Sequence, residues 1–314
     1  MVAPMIPLLG LPHTAIELVL QNMNMTELVS IALNSIRAKN HVKTLNLSVY
    51  KLWVTFLGNY VDIEVCKKTN GGGEDRLSWM FRKRNVYFYR EGLKVEKWLD
   101  MLKYEIGTSM IARLTIAHEE TCVSLIEKFV KEVDELGFES TDTVFHQKFL
   151  TDFPTVKAVK FCQPFANLSH ETIARNYDGV SFHSDLNPWL NFKLNDLLVM
   201  NSVSIQLGVA SLTDKELNKF LKLWIKGCNP RMKHLKIRYP VQVNEEQWRM
   251  ILKGIPYEKA DENRGLLLKN YAKFYFYLHS PATVTVVGGM DIKSRKGIRA
   301  TLVLKERYFE MFVY

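Results

Sequence analysis

Eight histidines, four cysteines, a glycine triplet and the adjacent glutamates Glu119 and Glu120 are residues of this 314-residue chain that could do chemistry. Two histidines four apart on a helix, with a glutamate between them, would bind zinc and supply a base. None of His13, His41, His118, His146, His170, His183, His234 and His279 stands in that arrangement. Cys228 and His234 are six apart, but no second ligand pair completes a zinc set. No serine sits in the G-x-S-x-G turn that activates an acyl-transfer nucleophile. Gly71, Gly72 and Gly73 lack the Lys-Ser or Lys-Thr that lets a glycine loop cradle phosphate, so they read as a connection. Glu119 and Glu120 stand at a helix start, where the helix dipole favours acids whatever else they do. The chain is therefore expected not to be an enzyme and to use no cofactor and no metal.

Composition narrows the classes further. Cys66, Cys122, Cys162 and Cys228 are far apart, with no C-x-x-C, which fits a reduced compartment, cytoplasmic or nuclear, rather than a disulfide scaffold. An apolar fraction of 47% and six tryptophans are enough for a sizeable core. The net charge of +9 is scattered, with short clusters only at Arg82 to Arg84 and Lys293 to Arg299. Such charge reads as solvated surface, and no specific nucleic-acid partner is expected. The N-terminus lacks a basic run before its apolar residues, and no stretch of about 18 apolar residues occurs, so neither a signal peptide nor a membrane span is expected.

The elements begin with a leucine-rich segment, Pro7 to Ser35, that is too short to cover its own apolar surface. Ile16, Val19, Leu20 and Met23 fall on one helix face, after Pro12 at the helix start. Asn24 and Glu27 have capping-box spacing, so a second helix starts there. Leu28, Ile31 and Ala32 form one apolar stripe of that helix; Val29, Leu33 and Ile36 form another. A helix apolar on two sides is sandwiched, either inside this chain's own core or against another protein.

This segment resembles an F-box through "PLLGLP", "AIELVL" and "ELVSIALNSIR" in order. The resemblance implies a three-helix module that docks a Skp-type adaptor and, through it, a cullin. It places the adaptor contact on Pro7, Leu8, Leu11, Pro12, Ile16, Val19, Leu20, Leu28 and Ile31.

From about Leu47 the pattern turns to β. "YKLWVTFLGNYVDIEVC" alternates about Gly58-Asn59 as a hairpin, and "LSWMFRKRNVYFYREGL" continues it. The middle alternates short strands and helices. "RLTIAH" is a strand, followed by a helix with Cys122, Ile126, Phe129, Val130 and Val133 on one face and Gly137 at its end. "KAVKFCQ" is a strand and "LSHETIARNY" a helix. "DLLVMN" reads as the next strand, with "VSIQLG" competing for the place. A capped helix from Thr213 to Gly227 buries Leu217, Phe220, Leu221, Trp224 and Ile225; "HLKIRY" is the strand after it, and Asn244 with Gln247 caps a further helix. The tail, "AKFYFYLHS", "ATVTVVGGMDIK" and "IRATLVLKERYFEMFVY", reads as an antiparallel meander. Trp53, Trp79, Tyr87, Tyr89, Trp98 and Trp189 are either core or recognition aromatics.

The expected fold is α+β or α/β: an N-terminal three-helix F-box at 1–46, a hairpin-rich connector at 47–110, and at 111–314 an irregular leucine-rich-repeat-like α/β array with antiparallel β segments. A doubly wound sheet is the competing arrangement, disfavoured because alternate strand residues are polar. "LTDKELNKFLKLWIKGCNPRMKHLKI" is similar to the core of the type 2 F-box-associated domain, a nematode family, here placed at about 196–262. Together the resemblances imply a substrate-recognition subunit of a Skp–cullin–F-box ubiquitin ligase, whose target and target-binding residues the sequence leaves open. The alternative is a leucine-rich-repeat-like scaffold for protein or nucleic acid with no ligase role.

Overall fold

The structure, a computed structural model, describes residues 8–45, 49–57, 60–68, 74–84, 87–90, 93–95, 111–117, 133–139, 142–152, 154–161, 169–183, 192–209, 211–242, 244–269 and 283–314. The chain is a mixed α+β protein that divides into two compact units, residues 1–134 and 135–314.

The first unit opens with a single 3-10 turn, Leu8–Gly10, and three helices: α1 (His13–Gln21), α2 (Met25–Asn34) and α3 (Ile36–Thr44). Local chemistry sets their ends. The Asn24 side chain accepts from the Glu27 N–H at 3.0 Å, and the Glu27 carboxylate accepts from the Asn24 N–H at 2.8 Å. Ser35 has extended backbone, which ends α2, and its hydroxyl accepts from the Ala38 N–H to start α3. That break corrects the second apolar stripe expected for α2. Ile36 lies beyond it, opens α3 and is 82% exposed. Ile16, Leu20, Leu28, Val29, Ala32, Ala38 and Val42 are buried.

The rest of this unit is β: β1 (Val49–Phe56), β2 (Tyr60–Lys68), β3 (Glu74–Arg84), β4 (Tyr87–Arg90), β5 (Leu93–Lys94) and β6 (Ile111–Ile116). The first five form an antiparallel meander, and β6 joins β1 in parallel. Gly58-Asn59 lies outside the described residues, but Phe56 pairs Val61 across the expected hairpin. Trp53 and Trp79 are core residues although register places them on opposite faces of the sheet, because both faces are buried at these two positions. The side chains of Tyr87 and Tyr89, together with Trp98 and Trp189, lie outside the described residues.

The second unit runs β7 (Val133–Phe138), α4 (Thr143–Asp152), β8 (Ala158–Phe161), α5 (His170–Ile173), β9 (Gly179–Phe182), α6 (Leu194–Val199), β10 (Ser204–Val209), α7 (Asp214–Ile225), β11 (His234–Arg238), α8 (Glu245–Leu252), β12 (Glu258–Lys259), β13 (Gly265–Lys269), β14 (Thr283–Val287), β15 (Met290–Lys293), β16 (Arg299–Lys305) and β17 (Tyr308–Val313). Strands β7 to β11 are parallel and adjacent in chain order, with a helix between each pair. The order never reverses along these five strands, whereas a doubly wound sheet reverses. Strand β17 then pairs antiparallel with β11, and β16, β15 and β12 continue outward. Strands β13 and β14 form a separate hairpin.

Three expectations change here. Gly137 does not end a helix. It lies inside β7, where Leu136 and Phe138 pair with Val159 and Phe161, so strand pairing outweighs glycine's reputation as a stop. Val133, expected on the same helix, opens β7 instead, while Cys122, Ile126, Phe129 and Val130 lie outside the described residues. "DLLVMN" is helix α6, because the Asp196 carboxylate accepts from the Lys193 N–H at 2.8 Å and caps its start; the competing "VSIQLG" supplies β10. The four-residue strand β9 escaped notice, being too short to show a period. The segment "AKFYFYLHS" lies outside the described residues.

Candidate functional site

Strand register turns the alternation of the second unit into two unlike faces. Leu136, Val159, Val180, Ile205, Leu235 and Met311 form one apolar row across β7 to β11 and β17. Phe138, Phe161, Phe182, Leu207, Ile237 and Phe309 form the second row of the same face. Phe161 stacks on Phe182 at 5.1 Å and on Phe138 at 5.6 Å, while Phe149 of α4 meets Phe138 edge-on at 5.7 Å. This face is therefore covered by helix.

The residues in between project to the other face and are mostly polar: Lys160, Ser181, Gln206, Lys236 and Glu310 form one row, with Arg238 and Tyr308 beyond it. The β13–β14 hairpin lies over part of this face, where Leu268 and Val286 pack with Val303 and Phe312. Arg264 pins the hairpin there, donating to Asp291, to the Thr301 hydroxyl at 3.2 Å and to the Gly288 carbonyl at 3.2 Å. Burial works to raise the Asp291 carboxyl, but hydrogen bonds from Arg264 and Thr301 outweigh it and hold the group below the usual carboxylate range.

Two clusters on the polar face invite a chemical reading. The Ser204 hydroxyl lies 3.0 Å from His234 Nδ1, and His234 Nε2 lies 3.9 Å from Glu310. Such an order would suit a nucleophile, a base and an orienting acid. Ser204 and His234 are wholly buried, however, so no substrate carbonyl can reach the hydroxyl. Burial and the like charge of Lys236 pull the imidazole down to about 3, so it is neutral and structural at ordinary pH.

The second cluster is open. A shallow depression, open to solvent, lies where β9, β10, β11 and β17 meet. Ser181, Gln206, Lys236, Arg238 and Tyr308 line it, with His183 just past β9. Lys236 is held by Glu310 at 3.0 Å and lies 4.5 Å from the Tyr308 ring centre. The sequence reading missed these residues. Their signal was the polar position inside "VKF", "VSF", "IQL" and "LKIRY", each set between two buried neighbours.

The landmarks of the "LTDKELN…NPR" stretch act below this face. The Thr213 hydroxyl accepts from the Glu216 N–H at 3.2 Å, and the Glu216 carboxylate accepts from the Thr213 N–H at 2.9 Å. Asn218 donates to the carbonyls of Ile251 and Lys253, which ties α7 to the end of α8. Leu217, Phe220, Leu221 and Trp224 are buried. Gly227 has φ of +110°, which any side chain resists, and Asn229 follows with φ of +49°. Asn229 donates to the carbonyls of Leu197 at 3.1 Å and Met200 at 2.6 Å, satisfying the C-terminal end of α6. Arg231 donates to the Asn201 carbonyl at 3.1 Å.

Residues 169–237, from the α5 cap to β11, match the profile of the family described as F-box associated. Over this stretch the chain is similar to that family. Over 59 residues the chain is 37% identical to the F-box associated domain-containing protein sdz-33 of Caenorhabditis elegans, covering 19% of this chain and 20% of that protein. The chain thus spans about one fifth of the length of the curated relative it matches. The matched stretch supplies β9, β10 and β11, which carry Ser181, Gln206, Lys236 and, one residue past its end, Arg238.

The residues expected at an adaptor contact separate by depth. Ile16, Leu20 and Leu28 are buried inside the chain and cannot touch a partner as they stand. Leu8, Leu11 and Ile31 are half-buried, while Pro12 and Val19 are exposed; Pro7 lies outside the described residues. Leu18, 62% exposed, and Ile36 add apolar surface that was not expected at the contact. Among the described residues no group of three His, Cys, Asp or Glu side chains could hold a metal, and no helix is long and apolar enough to cross a membrane.

Proposed function

We propose that the chain is a substrate-recognition subunit of a Skp–cullin–F-box ubiquitin ligase. In this reading α1–α3 form an F-box that holds a Skp-type adaptor, and the second unit is a leucine-rich-repeat-like array whose polar face holds a target protein. The observation that carries the reading is the match to the F-box associated family, in a chain whose N-terminal helices present Leu18, Val19 and Ile36 to solvent. The relative's own name adds support, since it too is described by this domain. The chain would do no chemistry itself. It would raise the effective concentration of a target beside a ligase, in the cytoplasm or nucleus, and need no cofactor.

Affinity purification from cells tests the reading. A Skp-type adaptor and a cullin are expected to come down with the parent chain and to be lost with Leu11→Ala plus Pro12→Ala. Purification of a folded chain with neither protein would sink the ligase role. The burial of Ile16, Leu20 and Leu28 favours the second reading, a leucine-rich-repeat-like binding scaffold whose N-terminal helices serve only its own core.

A further inference from the structure

We propose that the depression at Ser181, Arg238 and Tyr308 is a pocket for an anionic side chain, carboxylate or phosphate, on an acidic segment of the target protein. The proposal rests on the receptor reading for the occupant being a protein segment; the ligand chemistry stands on the pocket alone.

The charges are the first argument. Arg238 and Lys236 both project to the polar face, two residues apart on β11. Glu310 and the Tyr308 ring engage Lys236. Arg238 has no carboxylate within ion-pair distance and no side-chain hydrogen bond among the described residues, and none of the nine residues lining the depression is acidic. An unmatched guanidinium in a partly desolvated recess is completed best by a planar or tetrahedral oxyanion, which it can grip through two N–H groups.

Ser181 supplies the second, independent argument. Its side chain lines the recess and the residue is only 4% exposed, yet its hydroxyl has no hydrogen-bond partner among the described residues. A hydroxyl that lines the recess and is not engaged by the described residues is free to donate to an oxyanion that enters. An oxyanion seated on Arg238 would accept from Ser181 and from the Tyr308 hydroxyl. The recess is shallow, which suits the tip of an acidic side chain and not an aromatic ring. Its position fits as well. The β13–β14 hairpin packs on the part of the face over β16 and β17, at Val303 and Phe312, and none of its residues is among those that line the depression. Lys160 lies in the same polar row three strands away, about 14 Å at the usual strand spacing, and has no ion-pair partner among the described residues. Lys160 and Arg238 are thus two cations of this face with no ion-pair partner among the described residues, which favours an acidic segment over a basic or neutral one.

The test uses the full chain and short Gly-Ser peptides that differ only in a central pair: two glutamates, two phosphoserines or two glutamines. Fluorescence anisotropy at about 0.15 M salt reads the affinity, where surface charges beyond a Debye length are largely screened. The glutamate peptide, the phosphoserine peptide or both are expected to bind at least ten-fold more tightly than the glutamine peptide. The better of the two identifies the anion. Arg238→Gln is expected to lose that preference. Ser181→Ala, which changes no charge, is expected to weaken the preferred peptide several-fold. Arg249→Gln, on exposed α8, removes the same charge and should change nothing. Equal binding of all three peptides, or undiminished binding by both Arg238→Gln and Ser181→Ala with parent-like melting, would overturn the proposal. Acidic-peptide binding without adaptor capture would keep the pocket and remove the ligase reading. Adaptor capture without any peptide preference would do the reverse.

Discussion

Asn229 should be worth far more to stability than its polar side chain suggests. It stands just after α7 with φ of +49°, and both of its amide hydrogens go to carbonyls at the end of α6, on Leu197 and Met200. A six-residue helix has no spare turn to absorb loose carbonyls, and Asn229 is buried. Asn229→Gly keeps the backbone geometry and removes both bonds. At about 1 kcal/mol for each net bond, with an added cost for carbonyls left unpaired, the loss is about 2–3 kcal/mol. Asn229→Ala removes the same bonds and also forces a Cβ into the left-handed region, which costs about 1–2 kcal/mol more. In a unit of this size 1 kcal/mol moves the melting midpoint by about 2–4 °C. Asn229→Gly should therefore melt about 4–12 °C below the parent, and Asn229→Ala lower still. Differential scanning calorimetry of the full chain reads both. The ranking is the sharper check, because a side chain that merely fills space would make glycine, the smaller residue, the worse of the two. Midpoints within about 2 °C of the parent, or alanine melting above glycine, would refute the reasoning.

Trp224→Ala should cost about 3–5 kcal/mol, since Trp224 is only 4% exposed on the inner face of α7; an unchanged denaturant midpoint would move it to a recognition role. Stability should also fall in acid through His234. Its folded value of about 3 lies below the ordinary 6.5, so the unfolded chain takes up the proton first. The full contribution is present above about pH 6.5 and is lost as pH falls toward 3, at about 1.4 kcal/mol per unit. Between pH 6.5 and 5 the parent should thus lose about 2 kcal/mol more than His234→Gln in urea titrations, and equal losses would remove His234 as the cause. Leu11→Ala with Pro12→Ala should weaken a Skp-type adaptor by about 2 kcal/mol, near 30-fold, while the melt of the rest of the chain stays put. Duplex DNA should bind only weakly, with affinity lost steeply between low and physiological salt; retained sequence discrimination at about 0.15 M would promote a nucleic-acid scaffold instead.

What the sequence by itself determined was local. Asn24 with Glu27, Thr213 with Glu216, and Asn244 with Gln247 each close a capping box in the structure, because a cap needs only residues three apart. The β1–β2 hairpin and the apolar faces of α7 were legible for the same reason: both are fixed by spacing within one element. Where spacing fell short, the reading slipped. "DLLVMN" became a helix and Gly137 entered a strand, because a six-residue apolar run fits either period until a neighbour pairs with it. Ile16 and Leu28 share the apolar character of Leu18 and Ile36, and only the packing of three helices decided which went inside. The candidate pocket lay further still from view. Ser181, Arg238 and Tyr308 come from β9, β11 and β17, and nothing in any one strand says which other strand will stand beside it. Alternation tells which residues share a face, not which face the helices will cover. Strand order and helix packing made that choice: they buried the phenylalanine row and left Lys160, Lys236 and Arg238 half-buried on the opposite face.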